Sequence, residues 1–542
     1  MIVSTMQDDF QLTVPAILQH GRTVFRNSEV VTWLGDSSRR ATFADVAANA
    51  ERLANALTAL GVGTGDRVGT LCWNSQEHLE AYFAVPSMGA VLHTLNLRLP
   101  PGQLAHIINH AEDKVVIVDA TLLPLLAAVA SQLKTVEHFV LIGEGDTSVL
   151  GGEVPVHSYT SLVAAAEPTY TWPELDEKSP AAMCYTSGTT GDPKGVVYSH
   201  RSTFLHALAT LATTVTGVNE RDRALVVVPM FHVNAWGIPY SAPLVGAKLV
   251  LPGAGLDGAS LYELCEQEKV DCSSGVPTVW FNLIAYLQEH GRKLTTLKRT
   301  IIGGAACPPA MIRILRDDYG ITVTHGWGMT EMSPIGTINN PKARHAGLDA
   351  DEAIALASKQ GRPLFGVDMK LVDAEGAELP HDGRAAGNLL VRGPWVLARY
   401  YREDGAGPLT SDGWLPTGDV GTIDADGYLT ITDRSKDMIK SGGEWISSIE
   451  LENIAMGHPA VAEAAVIGVR HPRWDERPLL VVVRRAGAAV DRGALLAYYE
   501  GKVAKWARPD DVVFVDELPH TATGKLSKRT LRERYRDYVL PQ

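Results

Sequence analysis

Short apolar runs of four to six residues recur along most of the chain, each separated from the next by a stretch whose apolar positions return every three or four residues. Arg67-Val68-Gly69-Thr70-Leu71-Cys72, Val115-Val116-Ile117-Val118 and Phe139-Val140-Leu141-Ile142 are runs of the first kind. The stretch from Thr42, with Phe43, Val46, Ala47, Leu53, Ala54 and Leu57, is of the second kind, as is Gln76 to Met88. A strand that is apolar on both faces has to be covered on both faces. Alternation kept up at this length therefore predicts a layered α/β architecture with mostly parallel sheets. Gly61 and Gly63 end the first helical stretch, and residues 143–180, with their Gly, Pro and Glu, read as a connector.

That connector leads into a strand, Ala181 to Cys184, and then into Tyr185-Thr186-Ser187-Gly188-Thr189-Thr190-Gly191-Asp192-Pro193-Lys194-Gly195, which holds four aliphatic hydroxyls, three glycines and a lysine. Such a loop suits phosphate: glycines let backbone N–H groups converge, hydroxyls donate further hydrogen bonds, and lysine supplies a point charge. It is not a Walker A loop, because Pro193 precedes Lys194 and Gly195 follows it. A Gly/Ser/Thr-rich surface turn would share the composition, so the order of the residues has to decide. Tyr198 to Val215 reads as the next helix. Ala224 to Pro229 reads as a buried strand ending in Met230-Phe231-His232-Val233-Asn234-Ala235-Trp236-Gly237. Further strands are expected at Lys248–Leu251, Arg299–Ile302 and Ile321–Thr324. The last two end in Gly303-Gly304-Ala305-Ala306 and His325-Gly326-Trp327-Gly328-Met329-Thr330-Glu331. Ligands on parallel sheets gather outside the carboxyl ends of strands, so these segments are expected to converge.

From about Gln360 to Asp433 short β runs predict a small barrel or a distorted sheet. The charged stretch Asp433-Arg434-Ser435-Lys436-Asp437 has no apolar period and divides the chain into a large domain, 1–433, a hinge, 434–438, and a small α+β domain, 439–542. The small domain should carry a helix from Ser448 to Met456, strands at Ala464–Ile467 and Leu479–Val483, a helix from Arg492 to Val503, a strand at Val512–Val515 and a basic terminal helix.

A chain of 542 residues is too long for a single core. A net charge of −13 argues against a nucleic-acid partner, so any anionic ligand must be held by local donors. Cys72, Cys184, Cys265, Cys272 and Cys307 form no CxxC pair and fit reduced thiols. Met1 to Leu12 has no basic leader, and no stretch approaches the roughly 20 apolar residues of a membrane span. A cytoplasmic protein without a transmembrane segment is expected, and a homodimer stays open.

Taken in order, these motifs resemble the adenylate-forming superfamily, and within it the acyl-CoA synthetases, most closely the fatty-acid–CoA ligases. The resemblance spans essentially the whole chain. It implies an AMP-forming ligase that uses ATP, Mg²⁺ and coenzyme A: a carboxylate attacks the α-phosphate of ATP, and the CoA thiol then displaces AMP. By the same resemblance Thr186, Ser187, Gly188, Thr189, Thr190, Gly191 and Lys194 hold the departing pyrophosphate. Glu331, with Thr186, holds the metal, and Thr330 contacts the α-phosphate. Gly303, Gly304, Ala305, His325, Gly326, Trp327, Gly328 and Met329 surround the adenine, with Trp327 standing where many relatives carry Tyr. Asp419 matches the ribose-binding carboxylate and Arg434 its basic partner. Lys525 matches the catalytic lysine and Lys436 the hinge residue. Lys440, Gly442, Gly443 and Glu444 match the glycine turn beside which pantetheine passes.

His232 is expected near the substrate carboxylate, with Phe231, Val233, Trp236, Met332 and Pro334 along the acyl channel. In amino-acid-activating relatives an Asp follows the aromatic residue; here His232 follows Phe231, which argues against an amino-acid substrate. The expectation is a mono-carboxylic acid, a medium- or long-chain fatty acid. The alternatives are a short-chain, branched or methylthioalkanoate substrate, an aryl acid, an acyl-AMP ligase loading a carrier protein, and a non-catalytic nucleotide- or acyl-binding protein on this fold.

Overall fold

The computed structural model describes residues 4–186, 192–442, 444–485, 487–521 and 525–541, and among them the strands form four sheets. The first has seven strands in the order Val156–Ser158, His138–Ile142, Asp113–Asp119, Arg67–Leu71, Val91–Thr94, Pro180–Tyr185 and Gly195–Ser199, all parallel except the last pairing. Val115, Val116, Ile117 and Val118 are all 0% exposed, so both faces of their strand are covered, as the unbroken apolar run predicts. Burying each such side chain contributes about 1.5–3 kcal/mol. One cover is the helix Phe43–Ala59. Its start is fixed by a capping box between Thr42 and Asp45, and Phe43, Val46, Ala47, Ala50, Leu53, Ala54 and Leu57 form its buried stripe.

The second sheet has nine strands, ordered Arg362–Pro363, Ile335–Ile338, Thr322–Gly328, Arg299–Ile302, Cys272–Gly275, Arg223–Val226, Lys248–Leu251, Glu29–Trp33 and Ser38–Thr42. Its six central strands, from Thr322–Gly328 to Glu29–Trp33, are parallel and point their carboxyl ends the same way. The expected barrel or distorted sheet is an open four-stranded antiparallel sheet, Asp368–Val372, Gly387–Arg392, Leu415–Ile423 and Leu429–Arg434, with bulges in its two later pairings. The small domain has a five-stranded sheet built on the long hairpin Val461–His471 and Asp475–Arg484, with the helices Ser448–Met456, Arg492–Tyr498 and Lys528–Arg534.

Two expectations need correction. Tyr198 does not begin a helix: Gly195–Ser199 is a strand that folds back on Pro180–Tyr185, and the helix is His200–Thr210, capped by Ser199. Thr186 and Lys194 therefore follow and precede two antiparallel strands, not a strand and a helix. Residues 143–180 also hold the strand Val156–Ser158 and the helix Tyr159–Ala165. The hairpin Glu29–Trp33/Ser38–Thr42 closes the edge of the second sheet, although residues 43–199 between it and that sheet build the first.

The small domain docks through polar contacts beside the stretch 434–438. Ser448 donates its backbone N–H to Asp433 Oδ2 at 2.7 Å, Ser447 Oγ donates to the Thr432 carbonyl at 2.6 Å, and Arg532 pairs with Asp437 at 2.7 Å. This orientation turns the loop before the terminal helix toward the large domain.

Candidate active site

The carboxyl ends of the nine-stranded sheet, the neck of the hairpin loop and the loop carrying Lys525 enclose a cleft of about 1740 Å³. Thr186 and Lys194 form the neck. The Thr186 N–H donates to the Lys194 carbonyl at 2.9 Å, and the Lys194 N–H donates to Thr186 Oγ1 at 3.1 Å. Lys194 Nζ pairs with Glu403 at 2.6 Å and lies 4.7 Å from the centre of the Tyr400 ring. Ser187, Gly188, Thr189, Thr190 and Gly191 lie outside the described residues, as does Gly443.

Two strand ends form the opposite wall. Gly304 has a φ of +79°, and a Cβ there would meet Val276 Cγ1 at 3.1 Å and Lys525 Cε at 3.7 Å, so the aliphatic stem of Lys525 lies over the glycine. A Cβ at Gly328 would fall 2.0 Å from the Pro334 carbonyl oxygen, which only glycine avoids. Beyond it the turn Thr330–Met332 places Glu331 in the cleft, with Oε1 accepting from Tyr400 Oη at 2.8 Å. The Thr330 carbonyl is held by Tyr198 Oη at 2.7 Å.

Trp327 and Asp419 are joined directly. The indole N–H of Trp327 donates to Asp419 Oδ2 at 2.9 Å, and Arg434 Nε meets Oδ1 at 2.6 Å. Asp419 is 2% exposed. Burial pushes its carboxyl up, against the pull of Arg434, the indole N–H and Lys525. Burial, then the facing charge of Arg434, lowers Lys525 from 10.5 to about 8, with Asp419 and Glu331 opposing. His232 is pushed down to about 3, first by burial and then by Lys525 and Arg98, so its imidazole is neutral at pH 7.

After His232 the backbone turns the wrong way. Val233, Asn234, Ala235 and Trp236 have φ of 47°, 49°, 47° and 56°, and Gly237 follows at 79°. A left-handed turn of side-chain-bearing residues costs about 1–2 kcal/mol per residue. The turn is held by the Ala235 N–H on the His232 carbonyl and by Asn234 Oδ1, which accepts from Tyr82 Oη and Cys184 Sγ at 3.4 Å each. It aims the Trp236 ring across the strand end: a Cβ at Gly303 would lie 3.1 Å from Trp236 Cη2. Val227, Val276, Phe281 and Ala285 line the same cleft.

The cleft thus brings together Thr186, Lys194, Phe231, His232, Val233, Trp236, Gly303, Gly304, Ala305, Gly326, Trp327, Gly328, Met329, Thr330, Glu331, Pro334, Arg434, Lys436 and Lys525. Six expected residues among those described do not line it. His325 is buried with Nδ1 on the Ser358 carbonyl at 2.9 Å, so it braces a loop behind the wall. Met332 is fully buried, its methyl packed toward Gly336 beneath Trp327. Asp419 stands just behind the lining, bonded to Trp327 and paired with Arg434, and Lys440 lies on the exposed hairpin Ile439–Ser441/Glu444–Ile446 with Gly442 and Glu444. Among the cleft residues that were not anticipated, two bear on the candidate site residues. Tyr400, which holds Glu331, stands in the aromatic and charged cluster Arg399-Tyr400-Tyr401-Arg402-Glu403, a usable signal. Arg98 bears on His232 and His520, and nothing in its surroundings in sequence marks it.

The model of the AMP-binding enzyme family matches residues 18–401, and that of the AMP-binding enzyme C-terminal domain matches 450–525. The chain belongs to the AMP-binding enzyme family. It is 50% identical to a 3-methylmercaptopropionyl-CoA ligase of Ruegeria lacuscaerulensis over 97% of this chain and 98% of that one. It is 48% identical to a medium-chain-fatty-acid–CoA ligase of Ectopseudomonas oleovorans (98% and 97% covered) and 47% identical to a long-chain-fatty-acid–CoA ligase of Thermus thermophilus (99% and 97% covered). Among solved structures, an anthranilate CoA ligase in complex with anthranoyl-AMP superposes with a TM-score of 0.87 at 28% identity, covering 98% of this chain and 99% of that one. ATP-bound MatB from Rhodopseudomonas palustris superposes with a TM-score of 0.82 at 28% identity, covering 97% and 99%. The chain is an AMP-forming acyl-CoA ligase that uses ATP, Mg²⁺ and CoA. Among the described residues no helix is long and apolar enough to cross a membrane.

Proposed function

We propose that the acid is a monocarboxylate with an uncharged apolar tail, of medium or long chain length, and that the residues brought together in the cleft carry its activation. The observation that carries the reading is the position of Lys525, its stem over Gly304 and its charge within reach of Asp419, Glu331 and His232. In the first step a carboxylate oxygen bonds to the α-phosphorus of ATP and the bond to the β-phosphate oxygen breaks. Lys525 neutralises the two anions as they meet, while Thr186, Lys194 and the hydroxyls of the loop receive pyrophosphate. In the second step the CoA sulfur, losing its proton, attacks the acyl carbon and AMP leaves.

Glu331 fits a hard cation, since it is a carboxylate in the cleft positioned by Tyr400, and Thr186 adds a hydroxyl. Mg²⁺ there would neutralise phosphate charge. Trp327 supplies the stacking face for adenine, and Asp419, with Arg434, the acceptors for ribose. His232, neutral in this setting, can donate one hydrogen bond to the acid without adding charge. In this reading the segment 434–438 with Lys436 is a hinge between a 1–433 domain and a 439–542 domain. Lys440, Gly442, Gly443 and Glu444, on the exposed hairpin, would serve the thioester step after rotation.

A second reading, a short thioether or branched acid, is favoured by the Trp236 ring lying across Gly303, because a fixed ring there leaves less room for a long tail. Formation of CoA thioesters across acids from propionate to palmitate, with 3-methylthiopropionate and benzoate included, separates the two. A kcat/KM maximum at eight carbons or more supports the first reading, and a maximum at 3-methylthiopropionate the second. ATP–pyrophosphate exchange without any of these acids' stimulation would overturn both. Cytoplasmic residence and a homodimer are part of this proposal, the latter open to light scattering.

A further inference from the structure

The hydrogen bond from Trp327 to Asp419 has a consequence for nucleotide choice. An ionised carboxylate offers about four acceptor directions, two on each oxygen. Here one direction on Oδ2 is taken by the indole N–H at 2.9 Å, while Arg434 Nε forms an ion pair with Oδ1 at 2.6 Å. At least one direction is left on each oxygen, enough to accept from two vicinal hydroxyls. The indole is itself held: Gly336 lies beneath its benzo edge, where a Cβ would come within 2.7 Å of Cζ3, and the strand Thr322–Gly328 fixes its backbone. Asp419 lies on a different strand, Leu415–Ile423, of a different sheet, so the bond ties the aromatic platform to the carboxylate across two layers.

We infer that Trp327 is a positioning residue for the ribose carboxylate, and that its indole N–H, by locking the rotation of Asp419 about its Cβ–Cγ bond, sets the enzyme's discrimination for nucleotides carrying both the 2′- and 3′-hydroxyls. This rests on the proposed ribose role of Asp419. It gives Trp327 a task distinct from stacking, one that an aromatic ring without an N–H cannot perform. Without the lock Asp419 keeps Arg434 at Oδ1 but Oδ2 is no longer held, and the pair of acceptor directions is no longer presented together.

The test separates shape from hydrogen bonding. Trp327→Phe keeps a ring and deletes the donor; substitution by 3-benzothienylalanine keeps the full bicyclic shape and replaces N–H with sulfur. Each is assayed by pyrophosphate exchange with ATP, 2′-deoxyATP and 3′-deoxyATP, beside Asp419→Asn and the double variant Trp327→Phe/Asp419→Asn, with thermal melts to establish folding. Expected for the benzothienyl protein is a roughly tenfold higher KM for ATP, kcat within about threefold of the parent, and a ratio of ATP to deoxyATP kcat/KM reduced by about tenfold. Trp327→Phe should match it, and in the double variant the Trp327 change should add little further. A benzothienyl protein that retains the parental ATP to deoxyATP ratio overturns the inference. If that ratio also survives Asp419→Asn in a folded protein, the ribose role falls with it; if Asp419→Asn collapses the ratio and the benzothienyl protein does not, the inference alone is wrong.

Discussion

The lowered proton affinity of Lys525 makes the first half-reaction depend on pH in a range where an ordinary lysine would show nothing. Burial and Arg434 bring the ammonium from 10.5 to about 8 in the enzyme without nucleotide. Lys525 works in its charged form, so the activity it supports is present below pH 8 and is lost as pH rises through that value. At pH 9 about one molecule in eleven keeps the proton, and at pH 10 about one in a hundred, whereas a lysine at 10.5 would still be about 97% charged at pH 9. The quantity to measure is kcat/KM for ATP in pyrophosphate exchange, which reports groups on the free enzyme. It should fall about tenfold per pH unit above 8. Lys525→Arg, whose guanidinium stays charged, should have a lower plateau but no such limb. Thioester formation from supplied acyl-AMP should lack the limb in the parent enzyme. The reasoning is refuted if the parent profile stays flat to pH 10, or if Lys525→Arg keeps the same descending limb.

Trp236→Ala should move the kcat/KM preference toward longer acids, by up to about 0.8 kcal/mol, or fourfold, per methylene that fills the opened space. KM for ATP should stay within about twofold, and an unchanged chain-length profile with a lower Tm would make Trp236 a packing residue. Lys436→Pro fixes φ in the proposed hinge and should affect pyrophosphate exchange and thioester formation very unequally; equal losses at unchanged Tm would count against domain rotation. Glu80 is buried, accepts from Asn49, Gln76 and Tyr159, and is raised to about 7. Its folded value lies above its unfolded one, so its stabilisation is complete below about pH 4 and is lost as pH rises through 7. Glu80→Gln should therefore have a higher Tm than the parent at pH 8, by an amount equivalent to on the order of 2–3 kcal/mol, and no advantage at pH 4.5.

The buried parallel strands were readable because Val115 to Val118 or Phe139 to Ile142 are apolar at every position, and only a strand covered on both faces has that pattern. Gly195–Ser199 was not, since Val196, Val197 and Tyr198 suit either a strand or the start of a helix, and pairing with Pro180–Tyr185 decided it. In the cleft, residues within one motif such as Gly303 and Gly304 or Thr330 and Glu331 could be placed together from order alone. The bond between Trp327 and Asp419 could not, because it joins two sheets and is visible only once both are folded. Nor could the left-handed turn at 233–236, where Val, Asn, Ala and Trp hold a conformation that their own propensities oppose and Tyr82 and Cys184 enforce through Asn234.

The N-terminal hairpin at the edge of the second sheet has a consequence for biosynthesis. Val30 pairs with Leu249 and Thr32 with Leu251, so a ribosome adding about 5–20 residues per second leaves the apolar strand Glu29–Trp33 without its parallel neighbour for roughly 10–40 seconds. Meanwhile the seven-stranded sheet, complete by Ser199, can close on its own. The nascent chain therefore passes through a stage in which a folded first layer coexists with a two-stranded hairpin whose second edge is open, and slow codons before residue 251 would lengthen that exposure rather than aid folding.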